Sequence, residues 1–254
     1  AAISLPKASI RLNPWESLLS GAPRFDELTL IGPRVEWSGE SGTDSIAIPA
    51  GLRDFLSSFA RLQVRDAHLI GEIDRDGVPM TLESLTVDID LARDRSRRIL
   101  RVSIDSPDGR LVSAEGFGTG NPFELNQFSG ELQGSLSGAG VSYLAQWLQW
   151  DLTAQGQTDF WFAVAGGQPT AVLQVNLTQI AVTGHTSINL DQLRVDSVVE
   201  GPFDQARIWI DDASLTADDQ TFLLPRIHLH RLGQGWKMLT NRFEVSPLIA
   251  VLRG

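Results

Sequence analysis

The sequence predicts an all-β chain with a few short helices, arranged as a long curled antiparallel meander. Three observations lead there. First, apolar and polar residues alternate with period two in Leu85-Thr86-Val87-Asp88-Ile89-Asp90-Leu91, Ala171-Val172-Leu173-Gln174-Val175-Asn176-Leu177, Arg207-Ile208-Trp209-Ile210-Asp211 and Arg226-Ile227-His228-Leu229-His230. Each such strand has one apolar and one wet face. Second, turn residues separate the segments: Gly32-Pro33, Asp76-Gly77, Pro107-Asp108-Gly109, Gly166-Gly167, Asp218-Asp219 and Gly233-Gln234-Gly235, which supply the positive φ or fixed proline φ of tight reversals. Third, helical periodicity is confined to short pieces.

Taken in order, strand signals fall at 7–12, 24–31, 33–38, 61–74, 79–91, 97–105, 109–118, 125–137, 152–164, 169–182, 187–199, 205–216, 220–231 and 235–245. The first helix, Pro14 to Leu19, follows Asn13, a good cap with proline at the first helical position. A second places Leu52, Phe55, Leu56 and Phe59 on one side, and a third, Val141 to Trp150, carries the stripe Tyr143, Leu144, Trp147 and Leu148. All are too short to stand alone and are expected to lie on the sheet, capping an apolar edge or end. Beyond about ten strands an open sheet curls, splits or closes. Three arrangements bring the apolar faces together: a sandwich, a barrel, or a trough.

Residues 1–254 read as one continuous β-groove segment, with possible sub-units 1–140 and 141–254, because a helix followed by long strands occurs before and after residue 140. The chain starts at Ala1-Ala2-Ile3 and its last stretch, Phe243 to Leu252, resembles the opening of an apolar helix. A piece of a longer protein is therefore expected.

Composition removes several functions. There is no cysteine, hence no disulfide, thiolate nucleophile or Cys-based metal site, which is compatible with an oxidising compartment such as a periplasm. The net charge of −10 repels a phosphate backbone and argues against nucleic acid as partner. No run of eighteen apolar residues is present, so no helical membrane span is expected.

Catalytic constellations do not converge. His228 and His230 share a strand face, yet zinc needs a third protein ligand and no supporting motif supplies one; His68 and His185 stand apart. Asp74-Arg75-Asp76-Gly77 lacks the remaining carboxylates of a calcium loop. Asp88 and Asp90 have the spacing of a glycosidase pair but alternate with an apolar stripe and so point to solvent. Gly116-Phe117-Gly118-Thr119-Gly120 opens no helix and has the wrong spacing for a dinucleotide loop. Asn176-Leu177-Thr178 is a mid-strand glycosylation sequon. Arg93, Arg95, Arg97, Arg98 and Arg101 crowd one turn, either as a solvated hairpin tip or as a contact for anionic headgroups or an acidic partner. The expectation is a non-enzyme without cofactor or metal.

Certain residues resemble a family. The run Arg24-Phe25-Asp26-Glu27-Leu28-Thr29-Leu30-Ile31-Gly32-Pro33-Arg34-Val35-Glu36-Trp37, preceded by a short helix, resembles the strand, Gly-Pro, strand element near the start of AsmA-like proteins. Leu62 to Leu69 and Met80 to Val87 resemble the hairpins that follow in its YhdP/TamB-type members, and Val141 to Trp150 the short helix before a new set of strands. The resemblance implies a bridge-like lipid transfer protein, a curled β-rod in which the meander forms a taco-like groove that carries phospholipid acyl chains between inner and outer membranes. It also implies a periplasmic location and an inner-membrane anchor outside this chain. Partners at either membrane are unnamed by it.

On this reading the groove is lined by Leu85, Val87, Ile89, Leu91, Phe160, Phe162, Val164, Leu173, Val175, Leu177, Ile208 and Ile210. The alternative is a β-sandwich module binding carbohydrate or protein through Trp37, Trp161, Trp209 or Trp236, of which Trp161 and Trp209 sit on the polar side of their strands' alternation.

Overall fold

A computed structural model describes residues 2–21, 24–39, 59–75, 78–81, 85–94, 97–120, 128–147, 151–183, 188–202, 205–217, 220–232 and 235–240. These form an all-β chain with two short helices, in which the ladders run antiparallel except along one long strand of the first unit. The chain divides into two compact units, Ala1–Phe117 and Gly118–Gly254.

In the first unit β1 (Ala2–Ser4) and β2 (Lys7–Leu12) run antiparallel to β4 (Arg34–Gly39) and β3 (Phe25–Ile31). The two ladders share one frame, with Ser4 opposite Arg34 and Lys7 opposite Ile31. Each pair of strands is thus one long strand interrupted once, at Leu5-Pro6 and at Gly32-Pro33. The expected reversal at Gly32-Pro33 does not occur. Instead β3 and β4 continue in one direction, and both pair parallel with β5 (Arg61–Arg75), Ile31 opposite Arg65 and Arg34 opposite His68. Gly32 N–H donates to the Arg65 carbonyl at 2.9 Å and the Pro33 carbonyl accepts from His68 N–H at 2.8 Å. Gly32 takes φ +64 and Pro33 brings no donor, so the dipeptide kinks the strand while its neighbour keeps the ladder satisfied.

This interruption has a partner in β5. Asp66, with φ +52, is displaced from the ladder, and its N–H is taken by the Asp88 carboxylate at 2.8 Å. Against the antiparallel β7 (Leu85–Asp94) the register slips between Val64 and Ala67, a β-bulge. The extra residue changes the phase of the alternation. Leu62, Val64 and then Ala67 oppose Leu91, Ile89 and Val87, so the apolar side chains stay on one face across the crease. The rest of the unit is antiparallel: β6 (Val78–Thr81) on β5, then β8 (Arg97–Ser106) on β7, followed by β9 (Gly109–Thr119).

Helix α1 (Pro14–Ser20) links β2 to β3. Asn13 caps it, accepting from Glu16 N–H at 3.0 Å, and Gly21 closes it with φ +66. It does not lie on the sheet as expected: none of its residues is buried, and Trp15, Leu18 and Leu19 are 75%, 76% and 86% exposed. Seven residues anchored at both ends by caps hold their shape without a packed face.

The second unit contains β10 (Ser129–Ser137), α2 (Gly138–Trp147), β11 (Asp151–Ala165), β12 (Gln168–Thr183), β13 (Ile188–Glu200), β14 (Arg207–Ala217), β15 (Gln220–Leu223), β16 (Ile227–Leu232) and β17 (Gly235–Thr240). Neighbours pair antiparallel in sequence order, and β14 carries both β15 and β16. Among the described residues no ladder returns from β17 to β10, so this sheet is open. Gly166 and Gly167, at φ +57 and +78, make the tight turn between β11 and β12.

Ser137 pairs with Gln157, so β10 leaves the first residues of β11 without a strand on that side. Helix α2 covers them. Gly138 lies so close to β11 that a Cβ there would come within 2.5 Å of Gln155 backbone, and the Ser142 hydroxyl accepts from Ala154 N–H at 3.0 Å. The packed face is made of small residues, Gly138, Gly140 and Ala145, while Leu144 of the expected stripe is 52% exposed.

Two more creases follow the same rule. Gln179, φ +49, adds a residue to β12 where the β11 register slips between Thr153 and Gln155. In β14 the slip lies opposite Asp196/Ser197, and the expected strand 220–231 is split at Leu224-Pro225-Arg226 at the same level. Ile208 and Ile210 give way to Ala213 and Leu215, as Phe222 and Leu224 give way to Ile227 and Leu229. The expected helix at 52–58, the turns 76–77, 218–219 and 233–234, Arg95, His185, residues 148–150, the tail from 241 and the Trp37 side chain lie outside the described residues.

Candidate apolar binding faces

Register determines which side chains share a face. In the second unit Phe160, Phe162 and Val164 of β11 oppose Leu173, Ala171 and Pro169 of β12, and Val175 and Leu177 oppose Val195 and Leu193 of β13. Val199 meets Ile208, which meets Leu229, while Ile210 meets Ile227. Eight sequence-predicted lining residues, Phe160, Phe162, Val164, Leu173, Val175, Leu177, Ile208 and Ile210, therefore fall on one face. Joining them are residues the sequence reading passed over: Leu132 opposite Phe162, then Leu193, Val195, Val199, Ile227 and Leu229. Alternation in β13 is interrupted at Asp191-Gln192, which hid its contribution. The shared phase slip with Gln179 in β12 is the signal that would have revealed it.

This face is not sealed. Val164 and Leu177 are 3% and 4% exposed, but Phe160, Leu173, Val175, Val195, Ile208 and Ile210 are only half-buried, and Phe162 is 38% exposed. Among the described residues no side chain is completely buried. A closed sandwich would hide such a face at core density.

In the first unit Leu85, Val87, Ile89 and Leu91 share a face with Ile104, Val102 and Leu100 of β8 and with Leu62, Val64 and Ala67 of β5. Leu85 and Val87 are buried, Ile89 and Leu91 half-buried. Acids take the other face. There Asp90 accepts from Arg61 Nε at 2.9 Å and from Gln63, and the Arg61 hydrogen bond, ahead of the cost of burial, holds its carboxyl below the ordinary carboxylate range. Asp105 pairs with Arg110 at 2.8 Å across the β8–β9 hairpin, and Arg101 reaches Glu115 at 3.8 Å.

The opposite face of the second unit is largely polar, with the exposed Leu223 opposite Ser214 and one row of apolar and aromatic residues. Trp161, Val172, Val198, Trp209 and His228 are directly opposed across β11, β12, β13, β14 and β16. The His228 ring stacks on Trp209 with centroids 5.0 Å apart, and its Nε2 is buried without a hydrogen-bond partner. Among the described residues no three His, Asp or Glu side chains converge on a metal-sized site. Nor is any helix among them long and apolar enough to cross a membrane.

Set against protein families, curated proteins and solved structures, the chain matches none. Function is therefore argued from these faces alone.

Proposed function

We propose that the chain is a hydrophobic-groove segment that carries phospholipid acyl chains, as an AsmA-like bridge would across the periplasm between inner and outer membranes. The observation that carries this reading is the persistence of one apolar face through every crease of the second unit, together with its half-open state. An evolved core would be covered; a carrier surface must be available to its cargo. Each acyl methylene moved from water onto this face is worth about 0.8 kcal/mol. Because such contacts are non-directional, a chain can slide along Phe162, Leu173, Val199 and Ile208 without breaking any particular bond. The wet face, rich in Asp and Arg, keeps the segment in solution.

Gentle purification from bacteria followed by native mass spectrometry tests this directly: adducts with phospholipid masses are expected, and a compact, lipid-free species would overturn the proposal. A second reading belongs to the other face, where the Trp161 to His228 row offers aromatic platforms for carbohydrate or protein. Replacing Trp161 and Trp209 together by alanine separates the two, since it abolishes that binding and leaves acyl-chain uptake intact.

A further inference from the structure

The aromatic row of the second unit has groups of opposite charge on its two sides. Two residues along from Trp209, His228 and Leu239 stand Arg207, His230 and Lys237, directly opposed across β14, β16 and β17. Strand alternation puts them on the face of the row, about 7 Å from it along the strands. Arg207 and Lys237 are exposed and His230 is half-buried. Glu200 faces Arg207 from β13, yet among the described residues none of the three basic side chains takes part in an ion pair. On the other flank Asp159, Gln174, Asp196 and Asp212 are directly opposed across β11, β12, β13 and β14. Asp196 is met by Arg194 at 3.6 Å, and Asp212 is exposed. Strand β14 alone thus presents a cation, an indole and a carboxylate on one face, at Arg207, Trp209 and Asp212.

One kind of molecule uses all three bands. The C–H face of a sugar ring packs on aromatic and aliphatic side chains, and its hydroxyls donate to carboxylate and amide oxygens such as those of the Asp row. A carboxylate carried on the ring meets in Arg207 a fork of donors, in Lys237 a point charge on a flexible stem, and in His230 an N–H present in either protonation state. A hydrocarbon tail would leave both flanks unused, and a neutral glycan would leave the basic row unused. A nucleic-acid strand would bring its phosphates against the Asp row, in a chain of net charge −10. Trp209 and His228 are already stacked at 5.0 Å, so little side-chain freedom is lost when a ring settles on them.

We propose that this row is a site for an acidic carbohydrate, one whose rings carry carboxylates, seated on Trp209 and His228 with its carboxylates held by Arg207, His230 and Lys237. This rests on the second reading above, the aromatic platform, and adds to it the charge class of the sugar and its orientation across the strands. The basic row spans two strand spacings, about 10 Å, which favours an oligomer presenting successive carboxylates over a single sugar.

The test titrates the purified chain with tetragalacturonate, with its methyl ester and with a neutral glucose tetrasaccharide, read by tryptophan fluorescence and calorimetry. Tetragalacturonate is expected to bind about tenfold more tightly than its ester, the return of one charge-assisted hydrogen bond. The double variant Arg207→Gln, Lys237→Gln is expected to bind acid and ester alike, and Trp209→Ala to lose both. Circular dichroism identifies any variant that misfolds; Lys237→Gln alone, at an exposed position, then carries the comparison and is expected to lose part of the preference. Acid and ester bound equally by the wild type, or a preference undiminished in the variants, overturns the acidic class while the carbohydrate platform stands. No saccharide bound at all overturns both, and neither outcome bears on acyl-chain uptake at the opposite face. A single-stranded oligothymidylate that binds as tightly as tetragalacturonate would make the row a general polyanion surface and reject the proposal.

Discussion

Phe162 and Leu177 share one face of the second unit but differ in how much of each is covered, and that difference separates a carrier surface from a core. Leu177 is 4% exposed, Phe162 38%. A phenylalanine side chain presents on the order of 200 Å², so roughly 75 Å² of Phe162 remains for a ligand to cover. At about 25 cal/mol per Å² that is ~2 kcal/mol, or about twentyfold in affinity. Phe162→Ala should weaken uptake of a fluorescent fatty acid by that factor while lowering unfolding free energy by at most ~3 kcal/mol. Leu177→Ala should do the reverse: a loss of about 2–5 kcal/mol in urea unfolding with uptake by the folded fraction unchanged. Equal losses of uptake in the two variants, or none in Phe162→Ala, would refute the idea that exposure on this face measures cargo contact.

Gly156 sits at φ +97 with a would-be Cβ 2.4 Å from the Asn176 carbonyl oxygen, so Gly156→Ala should cost about 3 kcal/mol in chemical denaturation; a neutral result would mean the crease relaxes freely. Asp90, whose folded pKa is depressed by Arg61, contributes stability above its unfolded pKa of about 4, and this is lost as pH falls through the lower folded value. Urea midpoints between pH 5 and pH 2 should therefore decline less steeply in Asp90→Asn than in the wild type, and identical slopes would dismiss the Arg61 pairing as a contributor. Asp88→Ala removes the acceptor of the displaced Asp66 N–H, and should cost about 1 kcal/mol because that site is open to water.

Period-two alternation made the strands legible, since it is dictated by the pleat itself, and the apolar sets in β7, β11, β12 and β14 were readable because each is unbroken over several residues. Gly32-Pro33 was misread as a reversal. Its residues suit both a turn and a kink, and what decides between them is a parallel partner, β5, that lies some thirty residues away in the chain. Helix α2 was legible as a helix but not in how it packs: close approach to β11 demands a small residue at Gly138, Ala145 is buried, and Leu144 of the expected stripe is exposed. Of the candidate sites, the lining of the second unit was mostly visible. The arginines around the β7–β8 turn were visible as composition only, because sorting Arg93, Arg97, Arg98 and Arg101 between two faces requires the β7–β8 register.

The creases also constrain how this sequence can change. Pro6, Gly32 and Asp66 each occupy the same level in adjoining strands, and one residue too few in any of them would turn the remainder of that strand inside out relative to its neighbours. Insertions and deletions at such a level are tolerated only when adjoining strands change length together. Strand lengths in this sheet are thus coupled across neighbours, and a lone gap falling at one of these levels in a homologous sequence would mark either a compensating change next door or a face no longer kept apolar.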